Sequence, residues 1–354
     1  MEKNIESFKQ KCLSCGGNLI FDPNRQDLIC ENCNSHYAID ETHNVEYHNL
    51  QKKYDNKNYE EYISQNKIFK CPNCGANVVL NKFEISQKCP YCSTSLVIQD
   101  SKSAGMSPDA IIPFAFDEAE AKRRFLLGLK KKFWVPNGIK KHLPENEIAG
   151  IYIPAFGFDT DTKSKYSGEL YEEHTYQDSD GVSHTERTYF QISGNLEQSY
   201  QNIMVESSSK ITQSELNGFL PYKFLEKKPF DNSYILGYSV EQYNSTVDKC
   251  IPQYKDILNN VIKRDILRKY TYDGVRYLKV ETDCFNEKYL YHLLPVYRFD
   301  YKYKSKDYIT YMNGQTGKVD NNVPKSGLKI AITIILTLLI LALPIVLGIL
   351  FGGE

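Results

Sequence analysis

Eight of the ten cysteines fall into two sets of four with one shared spacing. Cys12, Cys15, Cys30 and Cys33 form C-x2-C-x14-C-x2-C, and Cys71, Cys74, Cys89 and Cys92 repeat it 59 positions later. Gly16 and Gly75, Asn18 and Asn77, and Ile39 and Ile98 keep the same register, which marks an internal duplication. Zn²⁺ binds thiolates well and takes four ligands in a tetrahedron. Two cysteines separated by two residues sit on one tight turn and point at one ion, and a second such turn completes the shell. Gly16 and Gly75 follow the second cysteine of each leading pair, where such a turn favours a positive φ that costs glycine little. A unit of about 30 residues is too small to bury a core, so bound metal would supply most of its folding free energy. The spacing therefore predicts two structural zinc ribbons with all eight cysteines as ligands. A shell of four thiolates leaves no open position for water, which argues against catalytic zinc. The alternatives are two disulfides per unit and a rubredoxin-like iron site.

The chain around these units reads as follows. Residues 1–40 hold the first ribbon, 41–68 a polar linker with one short helix around Tyr54–Ile63, and 69–100 the second ribbon. His36 lies three residues after Cys33 and reads as a surface side chain, as do His43 and His48. Phe83, Ile85, Leu96, Val97 and Ile98 would cover the second unit's small core. The turn-rich stretch 101–107 is a linker. Residues 108–325 read as an α+β domain rich in antiparallel strands. Asp117 is placed to cap a helix over Glu118–Phe133, with acids in its first turn and lysines in its last, as the helix dipole prefers. A surplus of lysine and arginine over 117–141 fits a solvated face or an attraction to anionic lipid. Strands are expected at Ile148–Tyr171, Tyr234–Val240, Val275–Asp283, Leu290–Tyr303 and Asp307–Met312, with a helix over Thr246–Arg268. Asp178-Ser179-Asp180-Gly181 turns a hairpin across which His174 and His184 would face each other. Ile153–Asp159 resembles Leu294–Asp300 at an offset of 141, which points to two related strand–helix–strand–strand halves. Pro154 and Pro295 cannot donate to a ladder, so those strands would start or run at a sheet edge there. Cys250 and Cys284 read as buried or free thiols.

Formal net charge is −1 in 354 residues, and two Zn²⁺ on eight thiolates take it to about −5 by the ligand-ionisation rule. That balance does not suit a general nucleic-acid coat. The first ten residues are too polar for a signal peptide. The last stretch is different: 330–351 carries no charge, and as a helix it is about 33 Å long, enough to cross a bilayer. Lys325 and Lys329 precede it, so the positive-inside rule predicts a single-pass, tail-anchored cell-membrane protein with its N-terminal domains in the cytoplasm. The lipid bilayer is then one partner.

There is no phosphate-binding loop, no HExxH, no GxSxG and no dinucleotide fingerprint, and no nucleophile–base pair emerges from spacing. The paired ribbons, IPFAF before a helix, IYIPAFGFD, LLPVYRFDYKY, NGQTGKV and the apolar C-terminus together resemble bacterial membrane-anchored zinc-ribbon proteins. Their family names include transcription-factor-IIB-type zinc-ribbon and primosomal-helicase-like proteins, though a helicase motor is missing here. The resemblance implies a scaffold beside membrane-stress proteins and carries over only the eight cysteines. The expected function is a non-enzymatic adaptor that binds a protein partner through its ribbons. A nucleic-acid-associated ribbon of the transcription or replication type is the alternative.

Overall fold

The computed structural model describes residues 11–39, 44–50, 66–71, 73–81, 86–92, 95–97, 102–103, 106–141, 148–304, 306–320 and 322–351. The expected helix at Tyr54–Ile63, His43, and the core residues Phe83, Ile85 and Ile98 lie outside them, as do the side chains of Leu96 and Val97. The first unit is a three-stranded sheet of β1 (Leu19–Asp22), β2 (Asp27–Cys30) and β3 (His36–Tyr37). Leu19, Phe21 and Leu28 alternate inward along it. β4 (His48–Asn49) follows. The second unit contributes β5 (Asn66–Lys70), β6 (Asn77–Asn81), β7 (Ser86–Lys88) and β8 (Ser95–Val97), with β9 (Lys102–Ser103) beyond.

The rest of the chain runs β10 (Ala110–Ile111), α1 (Glu118–Lys131), α2 (Asn137–Lys141), β11 (Ile148–Gln177), β12 (Ser183–Glu206), α3 (Gln213–Phe219), β13 (Lys228–Pro229), β14 (Ser239–Glu241), α4 (Val247–Leu267), β15 (Gly274–Tyr303), β16 (Lys306–Asn313) and α5 (Gly327–Phe351). One eleven-stranded sheet gathers most of these strands in the order β13-β10-β15-β11-β14-β6-β5-β9, with β12 on β11 and with β16 and β4 on β15. The fold is therefore β-rich α+β, and strands of the second cysteine unit extend its main sheet.

Helix α1 forms as its ends dictate. The Asp117 carboxylate accepts the Glu120 amide at 2.8 Å, Glu118 and Glu120 occupy the first turn, and Lys130 and Lys131 the last. Ala121, Phe125 and Leu129 share one buried face, and Phe125 stacks on Phe299 at 4.0 Å. Helix α4 buries Cys250, Tyr254, Leu258, Ile262 and Ile266, and Tyr254 stacks on Phe158 at 4.4 Å. Each helix thus seats an aromatic ring on one of the two long strands.

Those long strands pair antiparallel, and Ile153 lies opposite Leu294, two residues 141 positions apart in the chain. Short β10 runs parallel to β15 through Ala110↔His292, and short β14 runs parallel to β11 through Ile151↔Ser239. Pro154 and Pro295 both sit inside the sheet, which corrects the expectation of an edge. The physical reason is a change of neighbour at each. Beside Pro154, β11 passes from β14 at Tyr152↔Val240 to β12 at Ala155↔Glu206. Beside Pro295, β15 passes from β10 at Ile111↔Leu293 to β16 at Val296↔Asn313. No donor is required at either gap. Their carbonyls are used there, by the Ser207 and Gly314 amides.

Other expectations also change. Tyr234–Val240 is not one strand: Asn232–Ile235 is a 3-10 turn capped by Asp231, Gly237 takes φ +85°, and only Ser239–Glu241 is extended. The two strands expected at Val275–Asp283 and Leu290–Tyr303 are one strand, β15, with an irregularity that places Asn286 at φ +55°. The Asp178–Gly181 turn forms, but His184 pairs with Tyr176 and His174 with Glu186, so the histidines do not face each other.

The membrane expectation is overturned. Among the described residues, no helix is long and apolar enough to cross a membrane. Helix α5 covers the predicted stretch, but its side chains are described only as far as Leu343. Its base is tied to the body, because the Lys329 ammonium donates to the Phe133 and Val135 carbonyls and to Asn137 Oδ1. The single-pass anchor and the cell-membrane localisation derived from it fall together.

Candidate metal centres

Cys12, Cys15, Cys30 and Cys33 converge, as do Cys71, Cys74, Cys89 and Cys92, with all four sulfurs of each set within 4.8 Å of one another. Cys12 and Cys33 are 3.4 Å apart, Cys15 and Cys30 3.5 Å, and both Cys71–Cys92 and Cys74–Cys89 3.6 Å. A tetrahedral shell with Zn–S near 2.3 Å puts its sulfurs about 3.8 Å apart. All ten cysteines are free, so the disulfide alternative is not what the fold contains.

The turns that carry the ligands have the expected local form. In the first unit Cys12 N–H donates to Gly17 O and Gly16 N–H to Cys12 O, both at 2.8 Å. In the second, Cys71 N–H donates to Ala76 O and Gly75 N–H to Cys71 O. Gly16 and Gly75 take φ of +73° and +72°, as the spacing predicts. In the second turn of the first unit Asn34 takes this place at φ +57°, with its N–H on Cys30 O. The two donor sets can each hold a metal ion, and four sulfurs favour a soft or borderline metal.

The electrostatic settings of the two centres differ. The Tyr37 hydroxyl lies 3.2 Å from Cys12 Sγ and, by hydrogen bonding, pulls that thiol down to about 5 against the opposing effect of burial. The Ser35 hydroxyl lowers Cys33. In the second unit burial dominates, raising Cys74 and pushing Cys89 up to about 12. In the first unit Cys15 is likewise pushed up to about 12, where the Gly17 amide is outweighed by the neighbouring Cys33 and Cys30 sulfurs, so each centre holds at least one thiol that is hard to ionise.

Several contacting residues gave no signal in the sequence. Tyr91, inside Cys89-Pro90-Tyr91-Cys92, is buried and donates to Glu241, which is buried on β14. Arg298 reaches the Pro90 carbonyl at 3.1 Å, and Lys210 donates to the Cys74 carbonyl. The one available hint was a glutamate inside the apolar–polar alternation of a short strand. His36 is no cysteine-site ligand: its Nδ1 lies 3.0 Å from Asp27, and Asp22 completes a small third cluster beside the first unit. Asp22 and Asp27 are already engaged by backbone amides and by Arg25 and His36.

A polar cleft of about 350 Å³ lies on β11, β12 and β15, lined in part by Asp159, Asp161, Ser199, Asn286 and Lys288. Both Asp161 oxygens are occupied, by Ser199 Oγ and Asn286 Nδ2, and these bonds lower its carboxyl. That arrangement does not poise it as a proton acceptor.

No protein-family model matches the chain, and no solved structure matches it significantly. The chain is similar to a protein of Bacillus subtilis (strain 168), "Uncharacterized protein YdjG", at 29% identity over 324 residues, covering 91% of each chain.

Proposed function

We propose that this protein is a non-enzymatic adaptor that holds two structural Zn²⁺ ions and meets a protein partner through the knuckles of its first ribbon. The observation that carries this reading is the way that ribbon docks. Its hairpin end faces the body: Gln26 donates to Phe114 O at 2.8 Å, Asn24 to Asp117 at 2.9 Å, and Phe21 N–H to Leu236 O at 3.0 Å. The cysteine end is left outward, with Cys15 and Cys33 exposed and Leu13 at 71% exposure. An apolar side chain on a rigid, metal-braced turn is a natural anchor for a partner's pocket. Zinc is preferred over iron for a closed four-thiolate shell without redox work. We read the two halves β10–α1–β11–β12 and β14–α4–β15–β16 as related copies, a scaffold that spaces the ribbons.

Elemental analysis of purified protein should give two zinc ions per chain. Leu13→Glu should keep both ions and lose a partner that the wild type captures by cross-linking at the first ribbon. Zinc-free protein with its thiols paired would overturn the metal reading. Unchanged capture by Leu13→Glu would overturn the docking surface. Capture of nucleic acid, with a steep loss on raising salt, would replace the protein partner with the alternative.

A further inference from the structure

The two ribbons dock in opposite senses. The first rests on its hairpin end, whereas the second rests on the turns that carry its ligands. Tyr91 lies between Cys89 and Cys92 and is 8% exposed, and its hydroxyl donates to Glu241 Oε2. Glu241 is fully buried and accepts three further bonds, from Ser208 Oγ at 2.7 Å, Ser209 N at 2.7 Å and Ser209 Oγ at 2.8 Å. Arg298 is 5% exposed, donates to Pro90 O, and holds its guanidinium 5.3 Å from the centre of the Tyr91 ring. Lys210 grips the other turn at the Cys74 carbonyl. Backbone pairing continues the contact: Glu241 lies opposite Val78 on β6, and Gln242 N–H donates to Asn77 O.

We infer that Glu241, Tyr91 and Arg298 are positioning residues of the second metal centre, so that the body itself helps retain the ion on Cys71, Cys74, Cys89 and Cys92. This rests on the two-metal reading above. A buried carboxylate that loses a donor pays a desolvation cost, so the Cys89–Cys92 turn is held where Tyr91 satisfies Glu241. The reverse follows from linkage: whatever the body contributes to holding the turn, it contributes to metal affinity. Among the described residues, no side chain of the body bonds to the turns of the first centre. Its Cys12 contact, Tyr37, belongs to the ribbon itself.

The test is zinc release from the full chain to excess chromogenic chelator, followed in time. Wild-type protein should release one ion quickly and one slowly, and Cys15→Ser should remove the fast phase. Tyr91→Phe and Glu241→Gln should each speed the slow phase by about 10–100-fold, the usual effect of losing a partner behind a ligand, and leave the fast phase alone. The double variant should be no faster than the faster single one. Arg298→Met provides a second route if Glu241→Gln folds poorly. Ser208→Ala, which removes a Glu241 bond that does not reach a metal turn, should have a smaller effect than Tyr91→Phe. An unchanged slow phase, or equal acceleration of both phases, would sink the inference. Protein carrying no zinc at all would instead defeat the two-metal reading.

Discussion

At the scale of single residues, the two four-cysteine clusters were legible because metal chemistry fixes both type and spacing. The residues around them were not, because Glu241 reaches Tyr91 across 150 positions of chain. Asp320 is another residue whose setting the sequence does not mark. It is 1% exposed, its Oδ1 accepts the Asn322 amide at 3.0 Å, and its Oδ2 has no partner. Burial pushes its carboxyl up to about 6, from an ordinary value of 3.8. A carboxyl raised on folding favours the native state in its protonated form. Its contribution is fully present below about pH 4 and is lost as pH rises through 6. The ionised group then costs on the order of 2–3 kcal/mol. Asp320→Asn should therefore gain stability over wild type at pH 7.5, with the gain shrinking by pH 5. Urea midpoints at the two values measure this, and a pH-independent difference would refute it.

At the scale of elements, local signals worked and interrupted ones misled. Helix α1 could be read from its cap, its charged ends and its four-residue apolar spacing, all of them short-range. The long strand β15 reads in sequence as two because Asn286-Glu287-Lys288 interrupts its pattern. The chain instead passes through with Asn286 at φ +55°, as Asn202 does at φ +54° on β12. Both flank the irregular stretch of β11 around Asp159–Asp161. A positive φ suits asparagine and glycine and penalises a β-branched side chain. Asn286→Val should cost about 2 kcal/mol, adding strain to the lost bond with Asp161. Asn286→Gly should cost less, since it loses only the bond. Thermal denaturation of the two variants would decide it, and an equal loss would show that backbone conformation is not what asparagine supplies.

At the scale of the whole molecule, the likeness of Ile153–Asp159 to Leu294–Asp300 at offset 141 was visible in the sequence, but its place in the fold was not. Only the paired strands show that Ile153 meets Leu294 and that each half lends a short strand to the other. This interlocking gives the body contacts of its own, so its core should outlast loss of the ribbons' metal. Phe125 on Phe299 and Phe158 on Tyr254 are contacts wholly within it. Leu19, Phe21 and Leu28 of the first ribbon pack into the body's core, and Cys71, Val78 and Cys89 of the second share a cluster with Ile151 and Leu294, but each unit is small and, on the two-metal reading, would need its ion to stay folded. Removing metal should therefore unfold the protein in parts. Hydrogen exchange with and without chelator should show β1–β3 and β5–β6 losing protection. β11, β15, α1 and α4 should keep theirs, while β14 loses its β6 neighbour and retains β11. If chelation collapsed protection across β11 and β15 as well, the body would depend on metal for its fold. The paired long strands and their helices would then be insufficient to hold a core by themselves.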